Sequence, residues 1–395
     1  MNSTIKRTAT AFAVASALAL PGVASAGDVK TAVSEGLTIK GFVIASLFMQ
    51  DNNFSFGNGQ NAQWPSSDFS TDETTFGGDV RNTRLTLAFN GPDADNFKVG
   101  GTVEVDFFGG FNGAGAFSDE QQILRLRLAY VDVTRGKTTF RVGQAWSPMF
   151  GNVPASPTHV AFPLGYGTGM PGWRFPGLFV YHDFGGSDNF KTKLTLALMR
   201  GSWSGSTIDN NSPGEAGTPQ IEGRLDFSGK NWSVYVVGHY DQKDLSGVGA
   251  DAPDDSLDGT AVEVGAKVKF GMFTLAGNFY DGSAIGQQFG AITQFGDIDS
   301  KGGWVQGSFQ FSPKWAAHLF YGIDDPDDFH VVDSGNNRLK NEQIAASVMY
   351  SSGPYVLGVE WLNASLDKAV EDSETEFSTV NVDGNQVSFS VWYKF

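Results

Sequence analysis

Along most of the chain apolar and polar residues alternate with a period of two. Leu85, Leu87 and Phe89 interleave with Arg84, Thr86 and Ala88, and Leu124, Leu126, Leu128 and Tyr130 interleave with Arg125, Arg127 and Ala129. Further on, Val262, Val264, Ala266, Val268 and Phe270 alternate with Glu263, Gly265, Lys267 and Lys269. The last run sets Val387, Phe389, Val391 and Tyr393 against Gln386, Ser388, Ser390, Trp392 and Lys394, and closes on Phe395. This periodicity predicts strands with one apolar face. It places sixteen of them at 37–50, 79–89, 97–108, 122–134, 137–144, 173–184, 191–200, 219–228, 232–241, 260–270, 271–281, 303–311, 315–323, 341–350, 354–366 and 386–395.

The connections decide what the strands build. Those at 90–96, Arg135-Gly136, 185–190, 229–231, near Gly271, Ser312-Pro313-Lys314 and Ser351-Ser352-Gly353 are short. Those at 51–78, 109–121, 145–172, 201–218, 242–259, 282–302, 324–340 and 367–385 are long, and the two kinds strictly alternate. A soluble sandwich has no reason to sort its turns this way. A 16-stranded antiparallel transmembrane β-barrel does, with short periplasmic turns on one rim and long extracellular loops on the other. Closure satisfies every strand edge in hydrocarbon, where water cannot. The even count puts both termini on the periplasmic rim, so Phe395 ends the strand that closes the wall against the one starting near Leu37. Aromatics near strand ends, among them Trp173, Trp203, Trp232, Tyr280, Trp304, Trp315, Trp361 and Trp392-Tyr393, suggest interfacial girdles.

Export is written at the start of the chain. Lys6 and Arg7, the apolar stretch from Ala11 to Leu20 and Ala24-Ser25-Ala26 read as a signal peptide over 1–26, too short in its apolar run to be an anchor. A short segment, 27–36, precedes the barrel of 37–395. With no Cys there is neither a disulfide framework nor a lipidated cysteine. The expected site is the outer membrane, among its lipids and lipopolysaccharide.

Net charge is −16, and the acidic residues concentrate in the long loops, leaving the barrel proper net positive. Acidic loops hydrate the outer rim. Clusters such as Asp324-Asp325-Pro326-Asp327-Asp328 and Glu371-Asp372 with Glu374 and Glu376 are candidates for weak calcium binding, without EF-hand spacing. No cofactor motif occurs, and an acidic exterior disfavours nucleic acid. Strand parity turns Arg84, Arg125, Arg127 and Arg141 into the lumen, with Arg174, Arg224 and His239 extending the set and Arg81 near the long-loop end of its strand. Such a ladder would concentrate small anionic solutes, since guanidinium groups match carboxylates bidentately. The competing role is bracing of the wall through inward Glu104, Asp106, Glu222, Asp226 and Glu263. The two roles are compatible, and the excess of arginines favours a net anion preference.

The loop at 145–172 contains no acidic residue, unlike the other long loops, and carries Pro148, Pro154, Pro157, Pro163 and Pro171 among apolar side chains. A loop folded into the lumen as a constriction explains both properties. Packing against a neighbouring subunit or capping of the mouth is the alternative. Folded inward, it would set Phe150, His159 and Tyr166 against the arginine wall.

Ile39-Lys40-Gly41-Phe42, Asp79-Val80-Arg81-Asn82-Thr83-Arg84-Leu85 and Arg141-Val142-Gly143-Gln144-Ala145-Trp146-Ser147-Pro148 resemble segments of the DcaP-like family of trimeric outer-membrane porins of Gram-negative bacteria. The resemblance covers nearly the whole chain after the signal. It implies a homotrimer, passive diffusion, and a preference for negatively charged small molecules such as dicarboxylates or aromatic acids, with Arg84, Arg125, Arg127 and Arg141 lining the narrow part of the channel. Some members carry an N-terminal coiled coil; residues 27–36 show no heptads, so a trimer is expected to assemble through barrel walls and loops. The terminal Phe395 resembles the signal read by the barrel-assembly machinery.

The alternatives are a general, weakly selective porin or a closed structural or adhesive barrel. A membrane enzyme is disfavoured: no G-x-S-x-G elbow or H-E-x-x-H motif occurs, and His159, His182, His239, His318 and His330 are scattered. A plugged receptor of about 22 strands would need a longer chain.

Overall fold

The computed structural model describes residues 36–55, 57, 59–66, 74–91, 93, 95–109, 122–201, 214–215, 217–244, 256–373 and 376–395. The predicted signal peptide, residues 27–35 of the segment after it, and Trp203 lie outside these residues.

Alternating sequence becomes one antiparallel sheet that closes on itself. Its strands are β1 (Leu37–Gln50), β2 in two parts (Thr75–Asp79 and Arg84–Asn90), β3 (Lys98–Asp106), β4 (Arg125–Arg135), β5 (Thr138–Trp146), β6 (Arg174–Ser187), β7 (Phe190–Met199) and β8 (Gln220–Ser228, with a two-residue outlier Gly214–Glu215). They continue as β9 (Trp232–Asp244), β10 (Ser256–Phe270), β11 (Phe273–Ser283), β12 (Asp299–Gln310), β13 (Trp315–Pro326), β14 (Arg338–Ser352), β15 (Tyr355–Ser373) and β16 (Glu376–Lys394). Each strand pairs with its sequence neighbours, and β1 pairs with β16 from Phe42 opposite Lys394 to Gln50 opposite Gln386. The main chain of Phe395 closes this seam, exchanging hydrogen bonds of 2.9 and 3.0 Å with Gly41. Among the described residues one α-helix, α1 (Asp328–Asp333), is capped by the Asp327 side chain. None of the described helices is long and apolar enough to cross a membrane.

Parity sorts the side chains. Leu126 is 50 % exposed and Leu319 58 %, facing outward, while Arg127 between them in pattern is 2 % exposed and faces in. In lipid the exposed apolar face is the stable one. The short turns rely on left-handed backbone at Gly136, Gly271 and Gly353, with φ of +58°, +60° and +57°.

Three expectations change. The strand predicted at 79–89 is broken at 80–83, where Thr83 Oγ1 replaces a ladder partner by accepting from Ile44 N at 3.2 Å. The break releases Arg81 to turn inward onto Asp79, at 2.7 Å. The eighth long loop does not exist as such: β15 and β16 continue as a paired hairpin, with Leu366 opposite Val382 and Val370 opposite Ser378. Beyond the bilayer both faces of a strand are wet, so the alternation that marks strands fades while the backbone ladder persists. Finally, Trp232, Trp315, Trp361 and Tyr393 face outward, whereas Trp173, Tyr280, Trp304 and Trp392 are buried inside the barrel; position near a strand end does not make a girdle residue when parity points it inward.

The principal apolar core therefore lies inside the barrel. It gathers Phe54, Phe162, Leu164, Tyr166, Trp173, Phe175, Phe179, Phe289 and Phe320.

Candidate functional site in the barrel lumen

Five neighbouring strands, β2 to β6, build a basic wall. Arg125 on β4 holds Asp106 on β3 bidentately, Nε to Oδ1 at 2.9 Å and Nη2 to Oδ2 at 2.7 Å. Arg127, two residues on and so on the same face, bridges Glu104 and Asp106, each at 2.8 Å. Arg84 on β2 stands 3.8 Å from Glu104, beyond hydrogen-bond reach, and its Nε and Nη2 have no hydrogen-bond partner. Arg174, at the start of β6, lies over the rings of Trp173 and Trp146 at 4.3 and 4.8 Å, and its Nε and Nη1 are likewise unpartnered. Four guanidinium groups thus stand beside two carboxylates, and only three of them approach one within 4 Å. The expected bracing is real, but it leaves positive charge in excess at buried donors, where an unmatched charge is costly until an anion or water meets it.

Further round the wall the arginines differ in role. Arg141 is held bidentately by Asp132 at 2.7 and 2.8 Å and covers Tyr130 at 3.5 Å. Arg224 pairs with Asp226 at 2.7 Å, lies 3.8 Å over Tyr235, and donates to the Pro148 carbonyl at 3.0 Å, so it also supports the loop beside it. These two, with Lys193, Lys267, Tyr181 and Phe150, line a cavity of about 520 Å³. The two lysines were not among the sequence candidates, although their inward parity was readable. Of the other inward carboxylates, Glu222 pairs with His239 at 3.0 Å, whereas Glu263 takes its hydrogen bonds from Tyr235 and Asn278 and not from an arginine.

The 145–172 segment runs through this lumen and is bonded to the wall on both sides. Met149 N donates to Glu222, the Ala155 main chain exchanges hydrogen bonds of 2.7 and 2.8 Å with Gln306, and Trp392 Nε1 reaches Pro157 O at 2.7 Å. Asn82, freed by the break in β2, donates to Thr158 O at 2.6 Å and accepts from Ala161 N at 2.8 Å. Gly169 fits where no other residue would: its φ is +86°, and a Cβ there would stand 2.0 Å from Gly303 N.

The three loop residues singled out by sequence do not share one face. Phe150 stacks on Trp146 with ring centroids 3.6 Å apart, beside the basic wall. Tyr166 packs among Phe150, Phe162 and Trp173 and donates to Gly172 O at 2.9 Å. Burial pushes its phenol well above the usual range, against the opposing pull of Arg174, Arg127 and Arg125, so it stays a neutral donor. His159 lies elsewhere: its Nδ1 meets Glu360 on β15 at 2.7 Å, and Ser156 shares that carboxylate at 3.0 Å. It anchors the loop to β15, because the segment crosses the lumen between Phe150 and His159.

Two more loops enter the lumen, which sequence reasoning missed. Residues 59–65 are all buried, with Trp64 packed on Ile292 and Leu366, and so are residues 284–294. The signal was present: 52–67 and 283–296 contain no charged residue at all, inside loops that are otherwise acidic. Among the acidic clusters, Asp324 is buried against Tyr280, Ser300 and Ile292 N, and Asp327 caps α1, so these carboxylates point to separate places. Among the described residues no group of three or more His, Asp or Glu could hold a metal ion. The side chains of Glu371, Asp372 and Glu374 lie outside the described residues.

The profile described as "Gram-negative porin" matches residues 9–357. The chain belongs to the Gram-negative porin family. The porin is similar in fold to the outer membrane channel DcaP of Acinetobacter baumannii, with 19% identity, a TM-score of 0.69, and coverage of 91% of this chain and 97% of that one. An anion-selective porin from Comamonas acidovorans gives 15% identity and a TM-score of 0.57 over 92% of this chain and all 100% of that one. OmpT of Vibrio cholerae in its trimer form gives 13% and 0.55 over 91% and 100%. No curated protein sequence matches the chain. At these identities the likeness is one of fold. Family and fold together make the porin an outer-membrane channel spanning the bilayer with its strands.

Proposed function

We propose that this porin lets small hydrophilic solutes diffuse passively across the outer membrane with a modest preference for anions, small or aromatic carboxylates among them. The observation that carries the reading is the unequal pairing on the basic wall: Arg84, Arg125, Arg127 and Arg174 against Glu104 and Asp106, with unpartnered guanidinium nitrogens on Arg84 and Arg174. Fixed donors replace part of an anion's hydration, and contacts spread along a wall stay weak enough for release. Aromatic rings next to the guanidiniums, Trp146 and Tyr130, line the lumenal cavity and offer flat apolar partners to an aromatic acid. The anion-selective Comamonas porin of the same fold supports the reading, and the Vibrio trimer supports a homotrimer.

The test is the zero-current potential of the purified protein in a planar bilayer under a salt gradient. Replacing Arg125 and Arg127 together by Ala leaves Arg84 and Arg174 facing Glu104 and Asp106, and the anion/cation permeability ratio is expected to fall towards unity. An unchanged potential refutes the assignment; a barrel that passes no steady current refutes diffusion and favours a closed structural role.

A further inference from the structure

The charge-free stretch at 283–296 is built with unusual backbone. Among the described residues seven non-glycine residues have positive φ, and five of them are here: Ala284, Phe289, Ala291, Ile292 and Thr293, at +56°, +61°, +48°, +50° and +57°. Branched side chains such as Ile and Thr rarely accept that region, and such strain persists where the surroundings over-determine it, typically at functional sites. The coil is wound tightly enough that a Cβ on Gly286 would lie 1.8 Å from Gln294 O and one on Gly290 2.4 Å from Ile285 Cδ1. Wall groups fix it from outside: Lys243 Nζ donates to Ala284 O at 2.8 Å, Asp324 accepts from Ile292 N, and Arg338 Nη2 donates to Ile292 O at 3.2 Å.

What this scaffold presents is Gln288 and Phe289. Gln288 O accepts from Gly172 N at 2.6 Å, and its Oε1 accepts from Ser147 Oγ at 3.2 Å and Trp173 N at 3.0 Å, while Nε2 donates to Glu222 at 3.2 Å. One residue thereby ties the entry and the exit of the 145–172 segment together and to β8. Phe289 stacks on Tyr166 at 4.7 Å and 12°, and its centroid is 4.4 Å from that of Trp173, the ring covered by Arg174.

We propose that 283–296 is a second constriction element of this channel, with Phe289 the residue that sets its bore and Gln288 the positioning residue that holds the stems of 145–172 together. The strained coil carries one aromatic ring from the β11–β12 connection into the buried aromatic core inside the barrel, where it fills the bore beside Trp173 and Arg174. The inference rests on the chain being a channel and is independent of the anion preference.

The test uses the mature barrel in planar bilayers and in liposomes. Since the sequence contains no cysteine, Phe289→Cys supplies a single thiol. Single-channel conductance is expected to rise about twofold or more, and sugars too large for the parent are expected to enter liposomes. Reaction with benzyl methanethiosulfonate restores a ring at 289 and is expected to return both readouts towards the parent, while the anion/cation ratio moves little throughout. Phe289→Leu, which keeps apolar bulk, gives an intermediate rise and covers a Cys variant that fails to fold. Parental conductance and sugar cut-off in every folded variant would overturn the proposal. A change in ion preference with an unchanged cut-off would overturn it as well. Absence of current in the parent itself would instead defeat the channel reading beneath it.

Discussion

Arg174→Gln removes one of the unmatched charges left by the unequal pairing without touching an ion pair. The guanidinium carries no hydrogen bond at Nε or Nη1 and sits on two indole rings, so its loss leaves Asp106 with both Arg125 and Arg127. For a permeating anion passing about 6 Å away, in an effective dielectric constant of roughly 40 to 80, one unit charge is worth about 0.7 to 1.4 kcal/mol before screening. Debye screening of about 10 Å at 0.1 M salt reduces this to about 0.4 to 0.8 kcal/mol, a roughly two- to fourfold fall in anion partitioning, whereas at 1 M the effect shrinks below about 1.5-fold. Zero-current potentials measured at both ionic strengths read this directly. Arg174→Lys keeps the charge and is expected to keep most of the ratio. If the Gln variant does not shift the potential at low salt, or if Lys shifts it as much as Gln, the charge of Arg174 is not what selects.

Two further outcomes follow from how the lumenal loop is held. Glu360→Ala strips His159 Nδ1 and Ser156 Oγ of their shared acceptor; at about 1–3 kcal/mol for each buried group left unsatisfied, the denaturation midpoint should fall and proteolysis should begin within 145–172, and unchanged protection would show that the other wall contacts suffice. Gly169→Ala forces a side chain into backbone at φ +86° and to 2.0 Å from Gly303 N, so the segment should leave its seat on Asn278 and conductance should become noisy, whereas a quiet parental trace would mean that β12 yields instead.

Much of the barrel was legible because a membrane wall imposes a local rule. One face of every strand meets hydrocarbon, so alternation is forced residue by residue, and strand order, parity, closure by Phe395 and the inward turn of Arg84, Arg125, Arg127, Arg141, Arg174 and Arg224 follow from it. The absence of acid in 145–172 signalled its inward fold for a similar reason: apolar, proline-rich chain needs cover from water. The rule fails where its cause ends. Above the bilayer the β15–β16 hairpin is wet on both faces and reads as loop, and the break at 80–83 replaces a ladder bond with the Thr83 side chain, a substitution with no periodic signature.

The sequence by itself determined the wall, its compartment and the inward turn of its arginines. Which arginines are spent on carboxylates and which are left over, the separation of His159 from Phe150 across the lumen, and the meeting of 59–65, 145–172 and 283–296 in one aromatic core were decided only by the closed tertiary structure. The physical reason is range: alternation is a relation between adjacent residues, whereas the contents of a barrel are set by side chains more than a hundred residues apart, such as Ser147 and Gln288, that face one another only after the last strand has paired with the first.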